Sequence, residues 1–158
     1  GNSPREYTAE TVAGKTLITT TTNGTRALRA CVNAEHTLVA SFLNLTATTD
    51  YLRTAKPSQL VIVCGGTYEE AALEDTLAAG AMADAVWDLF EDIEDSAQIA
   101  RSLHQSYSDS LNESIKLALN ARRLLEVPEL AEDVSFCSQQ SIHDFVVLQD
   151  DHGLVRIL

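Results

Sequence analysis

The chain has 158 residues, 45% of them hydrophobic, and a formal net charge of −12. That length fits one domain with a real core, and that apolar share argues against disorder. So acidic a balance disfavours nucleic acid and anionic membrane surfaces as partners.

The charge is unevenly spread. Residues 1–56 are mildly basic, whereas residues 57–100 carry ten acids and no Lys or Arg. The three cysteines (Cys31, Cys64, Cys137) are far apart and odd in number, which excludes a disulfide framework and a C-x-x-C metal site. Cys64 and Cys137 follow apolar, strand-like runs and read as small core residues. No apolar run is long enough to span a membrane. These features together suggest a reducing, cytoplasmic setting.

In chain order, Thr16–Thr21 is rich in β-branched residues and reads as a strand between Gly14 and Asn23-Gly24. Residues 25–33 read as a short helix with Thr25 as its N-cap. His36–Ala40 reads as a strand, and Asn44–Ala55 as a helix stopped by Pro57. Leu60-Val61-Ile62-Val63-Cys64 is a continuous apolar run before Gly65-Gly66, the pattern of a strand buried on both faces. Helices follow over 71–91, 96–107 and 111–125, and residues 145–157 read as a β-hairpin turning at Asp151-His152-Gly153. The strand–helix alternation implies an α/β fold: a three-layer α/β/α sandwich with a mostly parallel sheet and a C-terminal hairpin.

Ligands of such sheets bind beyond the strand carboxyl ends, and four segments fall there. The first is Thr21, Asn23, Gly24, Thr25 and Arg26, where a left-handed Asn-Gly turn, a helix start and a guanidinium could hold an anion. An ordinary Asn-Gly turn explains the same residues. The second holds Ser41 and Asn44, which could contact a ligand or merely cap a helix. The third is Gly66 and Thr67 followed by Glu74 and Asp75. These two acids either favour the helix dipole or ligate Mg²⁺. The fourth is Arg122-Arg123, placed either for the helix dipole or for a second anion. The histidines show no ligand spacing, and the acids from Asp84 to Asp95 read as a solvated face.

These segments, with Gly1-Asn2-Ser3-Pro4, Ala79-Gly80 and Asp133-Val134-Ser135-Phe136-Cys137, occur in an order that resembles the 2-phosphosulfolactate phosphatase (ComB) family. The resemblance implies Mg²⁺-dependent hydrolysis of 2-phospho-3-sulfolactate, a step of coenzyme M biosynthesis in methanogens, or of a related small acidic phosphoester. It makes Glu74 and Asp75 the metal ligands and catalytic carboxylates. It makes Thr21, Asn23, Gly24, Thr25, Arg26, Ser41, Asn44, Gly66, Thr67, Arg122 and Arg123 the binders of a phosphorylated, sulfonated substrate. It also reads residues 1–158 as one domain matching the C-terminal two thirds of the family's chain, without the upstream strand that carries an Asp-Val-Leu-Arg-Ala-Thr-like motif. Ala121 stands where the family commonly has Gly. The alternative is a non-catalytic α/β anion-binding or assembly module, and open sheet edges would favour a homo-oligomer.

Overall fold

The computed structural model describes residues 3–150, 153 and 155–158. They form helices α1 (Ala9–Val12), α2 (Gly24–Ala30), α3 (Leu45–Ala55), α4 (Leu73–Ala85), α5 (Asp95–Tyr107), α6 (Leu111–Ile115), α7 (Leu119–Leu125) and α8 (Ala131–Cys137). Strands β1 (Thr37–Leu38), β2 (Val147–Gln149) and β3 (Val155–Ile157) make one antiparallel sheet in the order β1-β2-β3. The fold is thus α/β, with Thr37 opposite Gln149 and Val147 opposite Ile157. The hairpin expected at the C-terminus is β2–β3; its expected turn residues Asp151 and His152 lie outside the described residues.

Helix α4 is the hub of the packing. Its residues are small and apolar nearly all round, and Leu77 is 0% exposed. Leu77 and Ala81 pack with Phe42, Leu111, Ile115, Ala118, Ala121 and Val134. Met82 and Val86 pack with Leu52, with Leu60 and Ile62 against them. At Gly80 the next helix comes so near that an added Cβ would lie 2.0 Å from the Ala100 carbonyl oxygen.

The two central strands expected from sequence do not form. Residues 16–21 and 60–64 have no strand partner among the described residues, and no pairing there is parallel. The reason is physical: β-branched residues favour extended backbone, but a strand also needs a neighbour. In 60–64 the alternation survives. Leu60 and Ile62 turn inward, while Val61 is 71% exposed. Ile18 is 98% exposed. The amides of residues 16–20 and 60–64 should therefore exchange hydrogen quickly in this chain, against strong protection for residues 77–85 of α4. Exchange followed by mass spectrometry reads this, and equal protection of the two sets would contradict it.

Three further expectations are corrected. The helix expected over 71–91 ends at Ala85, where the Val86 N–H is shared between the Met82 and Ala83 carbonyls and Arg53 donates to the Ala85 carbonyl at 2.6 Å. The helix expected over 111–125 breaks at Lys116–Ala118, a turn that buries Ala118 and Ala121 together and leaves Leu117 outside. Cys64 and Cys137 are exposed free thiols, and the run before Cys137 is helix α8, not a strand.

Charge pairs lock the periphery. Asp84 accepts from Arg101 at 2.6 Å, and Asp88 from Arg53, so these two acids are structural ties and not simply a solvated face. Ser3 and Arg5 donate to the buried Asp133 across almost the whole chain, and Arg5 holds that carboxyl below the usual range. This joins two of the sequence stretches that carried the family resemblance.

Candidate functional site

Two of the four segments converge, the Thr21–Arg26 turn and the stretch from Gly66 to Asp75, and a side chain from α7 completes the cluster. In the first, Thr21 and Thr25 clasp each other: the Thr25 N–H donates to Thr21 Oγ1 at 3.0 Å, and the Thr21 N–H to Thr25 Oγ1 at 3.1 Å. Neither Asn23 nor Gly24 is left-handed, contrary to the sequence expectation. Gly24 matters for space instead, since a Cβ there would sit 3.1 Å from Thr21 Oγ1. The N-cap of α2 is Asn23, not Thr25.

The other begins with a tight hairpin after the apolar run. Thr67 and Glu70 exchange backbone hydrogen bonds, both at 3.0 Å. Gly66 has φ +69, and a Cβ there would meet the Glu70 carbonyl oxygen at 2.9 Å, so glycine is required. Tyr68 takes φ 57, a conformation that a non-glycine residue holds only when its surroundings fix it. They do: the Tyr68 N–H donates to Asn23 Oδ1 at 3.2 Å, and Arg26 pairs with Glu69 at 2.8 Å. Hence the Thr-Asn-Gly turn and the Gly66–Glu70 hairpin are one unit.

The same segment runs on into the first turn of α4. The Gly66 N–H donates to Asp75 Oδ2 at 2.6 Å. Glu74 Oε1 accepts from Asn120 Nδ2 at 2.7 Å, and the same nitrogen donates to Thr67 Oγ1 at 2.7 Å. Glu74 Oε2 is buried without a partner among the described residues. A bare carboxylate oxygen in that setting is costly unless something binds it.

Asn120 was missed by sequence reasoning. Its only signal was position, as a polar residue just before Ala121-Arg122-Arg123 in an apolar helix. Arg122 and Arg123 end α7, exposed and without an ion pair among the described residues. Ser41 and Asn44 do not join the cluster. Asn44 Oδ1 accepts from the Ser41 N–H, Asn44 Nδ2 donates to the Val39 carbonyl, and Ser41 Oγ caps its own turn.

A family model described as 2-phosphosulpholactate phosphatase matches residues 1–152. The chain belongs to that family. Among its relatives is a protein of Picosynechococcus named a probable 2-phosphosulfolactate phosphatase, 35% identical over 99% of this chain and 65% of its own length. Proteins of the same name are 36% identical in Caldanaerobacter subterraneus, over 98% of this chain and 64% of theirs, and 38% identical in Thermus thermophilus, over 88% and 59%. This member of the 2-phosphosulfolactate phosphatase family thus spans a little under two thirds of the relatives it matches.

In this family member, Glu74 and Asp75 could together take a hard cation. Each has one oxygen engaged by an N–H donor and one left over. Among the described residues no three His, Cys, Asp or Glu side chains converge, so water and substrate would complete the shell. A shallow groove along α5, lined by Gln98, Ile99, Ser102, Leu103 and Ser106, contains none of these residues.

Burial pushes the Asp75 carboxyl above the usual range; the Gly66 N–H opposes this and the Glu74 charge adds to it. A raised carboxyl pKa contributes stability that is present below the unfolded value and is lost as pH rises through the folded value. At neutral pH the ionised Asp75 is therefore a burden on the fold. Asp75→Asn, which keeps an acceptor for Gly66, should melt higher than wild type near neutral pH, and the gap should close on acidification into the carboxylate range. Circular dichroism melts across pH test it, and a variant that melts lower at neutral pH would contradict it.

Proposed function

We propose that the protein is a Mg²⁺-dependent phosphatase acting on 2-phospho-3-sulfolactate, in the manner of coenzyme M biosynthesis, or on a related small acidic phosphoester. One observation carries the proposal. A turn bearing hydroxyls and an arginine is bonded to the hairpin whose Gly66 N–H holds Asp75, beside a Glu74 with an unpartnered buried oxygen. Anion-binding and carboxylate groups belong side by side only if a cation stands between carboxylate and phosphate, so the acidic stretch after a basic one supports a divalent metal.

In this reading Glu74 Oε2 and Asp75 Oδ1 hold Mg²⁺, which when bound neutralises phosphoryl oxygens in a loose transition state. Arg26, the Thr21 and Thr25 hydroxyls and Thr67 orient the phosphate, and Arg122 and Arg123 take the sulfonate or carboxylate. Hydrolysis breaks the bond between phosphorus and the ester oxygen. The oxygen of a water molecule ends on phosphorus and one of its protons ends on the leaving oxygen, whether water attacks directly or releases the phosphoryl group from an enzyme carboxylate. We further propose that Thr16–Thr21 and Leu60–Cys64 are strands of a three-layer sandwich, with a mostly parallel sheet, in a full-length chain of the family. The amides of residues 16–20 and 60–64, unpaired among the described residues, and the outward faces of Ile18 and Val61 support this.

Arg26 is engaged by Glu69, both well exposed, and an anionic substrate must compete with that pair. Exposed pairs of this kind are worth about 0–1 kcal/mol. Glu69→Gln should therefore lower KM by up to about fivefold with kcat little changed. A raised KM would show that Glu69 helps binding.

The direct test is phosphate release by the complete protein from phosphosulfolactate and from an aryl phosphate, with and without Mg²⁺. Turnover of phosphosulfolactate that needs Mg²⁺ is expected. Calorimetric binding of phosphate without any turnover would favour a non-catalytic binding module, and neither would overturn both readings.

A further inference from the structure

We infer that Asn120 is a positioning residue that makes Glu74 a one-oxygen ligand and so sets the site's preference for Mg²⁺ over Ca²⁺. The inference rests on the cation reading above.

Asn120 Nδ2 has two hydrogens, and both are used: one reaches Thr67 Oγ1 and the other Glu74 Oε1, each at 2.7 Å. With Oε1 engaged, the buried Oε2 of Glu74, without a partner among the described residues, is the oxygen left open to a cation. On the neighbouring residue the Gly66 N–H holds Asp75 Oδ2 at 2.6 Å in the same way. Two carboxylates that each offer a single oxygen suit an octahedral ion that keeps several waters. They suit less well an ion that takes up to about eight oxygens and readily accepts bidentate carboxylates. Two-oxygen binding by Glu74 would have to share Oε1 between the cation and Asn120, which weakens both contacts.

The amide is delivered by packed backbone and not by a loose surface helix. Ala118 and Ala121, on either side of it, are buried with Leu77 and Ala81 of the helix that carries Glu74. Thr67 ties the same nitrogen to the hairpin, so the donor is fixed from three directions. Metal ligands oriented in this way typically lose affinity by about 10–100-fold when the orienting partner is removed.

The test uses Mn²⁺ bound to the complete protein, followed by the paramagnetic resonance signal of free Mn²⁺, with Mg²⁺ and Ca²⁺ as competitors. Asn120→Ala should weaken Mg²⁺ about tenfold or more, and Ca²⁺ clearly less, so that the Mg²⁺ to Ca²⁺ ratio falls at least about threefold. Asn120→Ser cannot reach either acceptor and supplies the same measurement should the alanine variant unfold. Equal weakening of both ions, or no change in the ratio, would reduce Asn120 to a structural residue and overturn the inference alone. Failure of the wild-type protein to bind any of the three ions would overturn the cation reading itself, and this inference with it.

Discussion

Glu74→Gln should lower Mg²⁺-dependent phosphate release by about a hundredfold or more, with the fold intact. Gln keeps an oxygen for Asn120 but places an NH₂ group where the buried, unpartnered Oε2 stands. That exchange removes a negative charge and turns a donor toward the cation position. The shape is conserved, so circular dichroism should match wild type while the Mg²⁺ needed for half-maximal rate rises. Saturation curves for Mg²⁺ at fixed substrate separate the two effects. A variant within about twofold of wild type in both rate and Mg²⁺ requirement would remove Glu74 from the ligand set.

Gly80→Ala should be the most damaging single methyl in the chain. Glycine inside a helix costs about 1 kcal/mol relative to alanine, so its presence in α4 needs a reason. The reason is the close crossing with α5: a Cβ on residue 80 would lie 2.0 Å from the Ala100 oxygen, 2.6 Å from its carbon and 2.8 Å from His104 Cβ. Two of those three atoms are helix backbone and cannot turn aside. The helices must separate, opening the packing around Leu77 and Ala81. Overpacking typically costs about 1–3 kcal/mol, and against two backbone atoms the upper end applies, for a net loss of about 2 kcal/mol after the gain in helix propensity. For a chain of this size that is a fall of about 4–8 °C in melting temperature. Because α4 carries Glu74 and Asp75, metal affinity should fall as well. A variant that melts at or above wild type would show that the crossing is looser than described.

The helices were legible where an apolar face repeats. Residues 45–55 and 95–107 lie within about one residue of their expected bounds, and the helix over 73–85 starts near its expected start but ends short of the expected residue 91. The break before α7 was not legible, since Leu117 and Leu119 continue an apolar pattern yet face outward. The C-terminal hairpin was legible, because its alternation and its polar turn specify a partner close in sequence. Residues 16–21 and 60–64 were read as strands from composition alone, and composition sets an extended backbone without supplying a neighbour.

The site divides along the same line. Glu74, Asp75, Gly66 and the Thr21–Arg26 turn were visible as segments, because local chemistry marks them. Their joining could not be seen, since it runs through Tyr68, Glu69 and Asn120, which touch residues 45, 43, 46 and 53 positions away. Ser41 and Asn44 looked equally functional, but a capping box and an anion site draw on the same residue types, and their hydrogen bonds are local.

The most direct measurement is anomalous diffraction from a crystal of the complete protein soaked in Mn²⁺. One peak within coordination distance of Glu74 Oε2 and Asp75 Oδ1, on the side facing the Thr21–Arg26 turn, is the predicted result. A peak elsewhere, with both carboxylates unliganded, would contradict it.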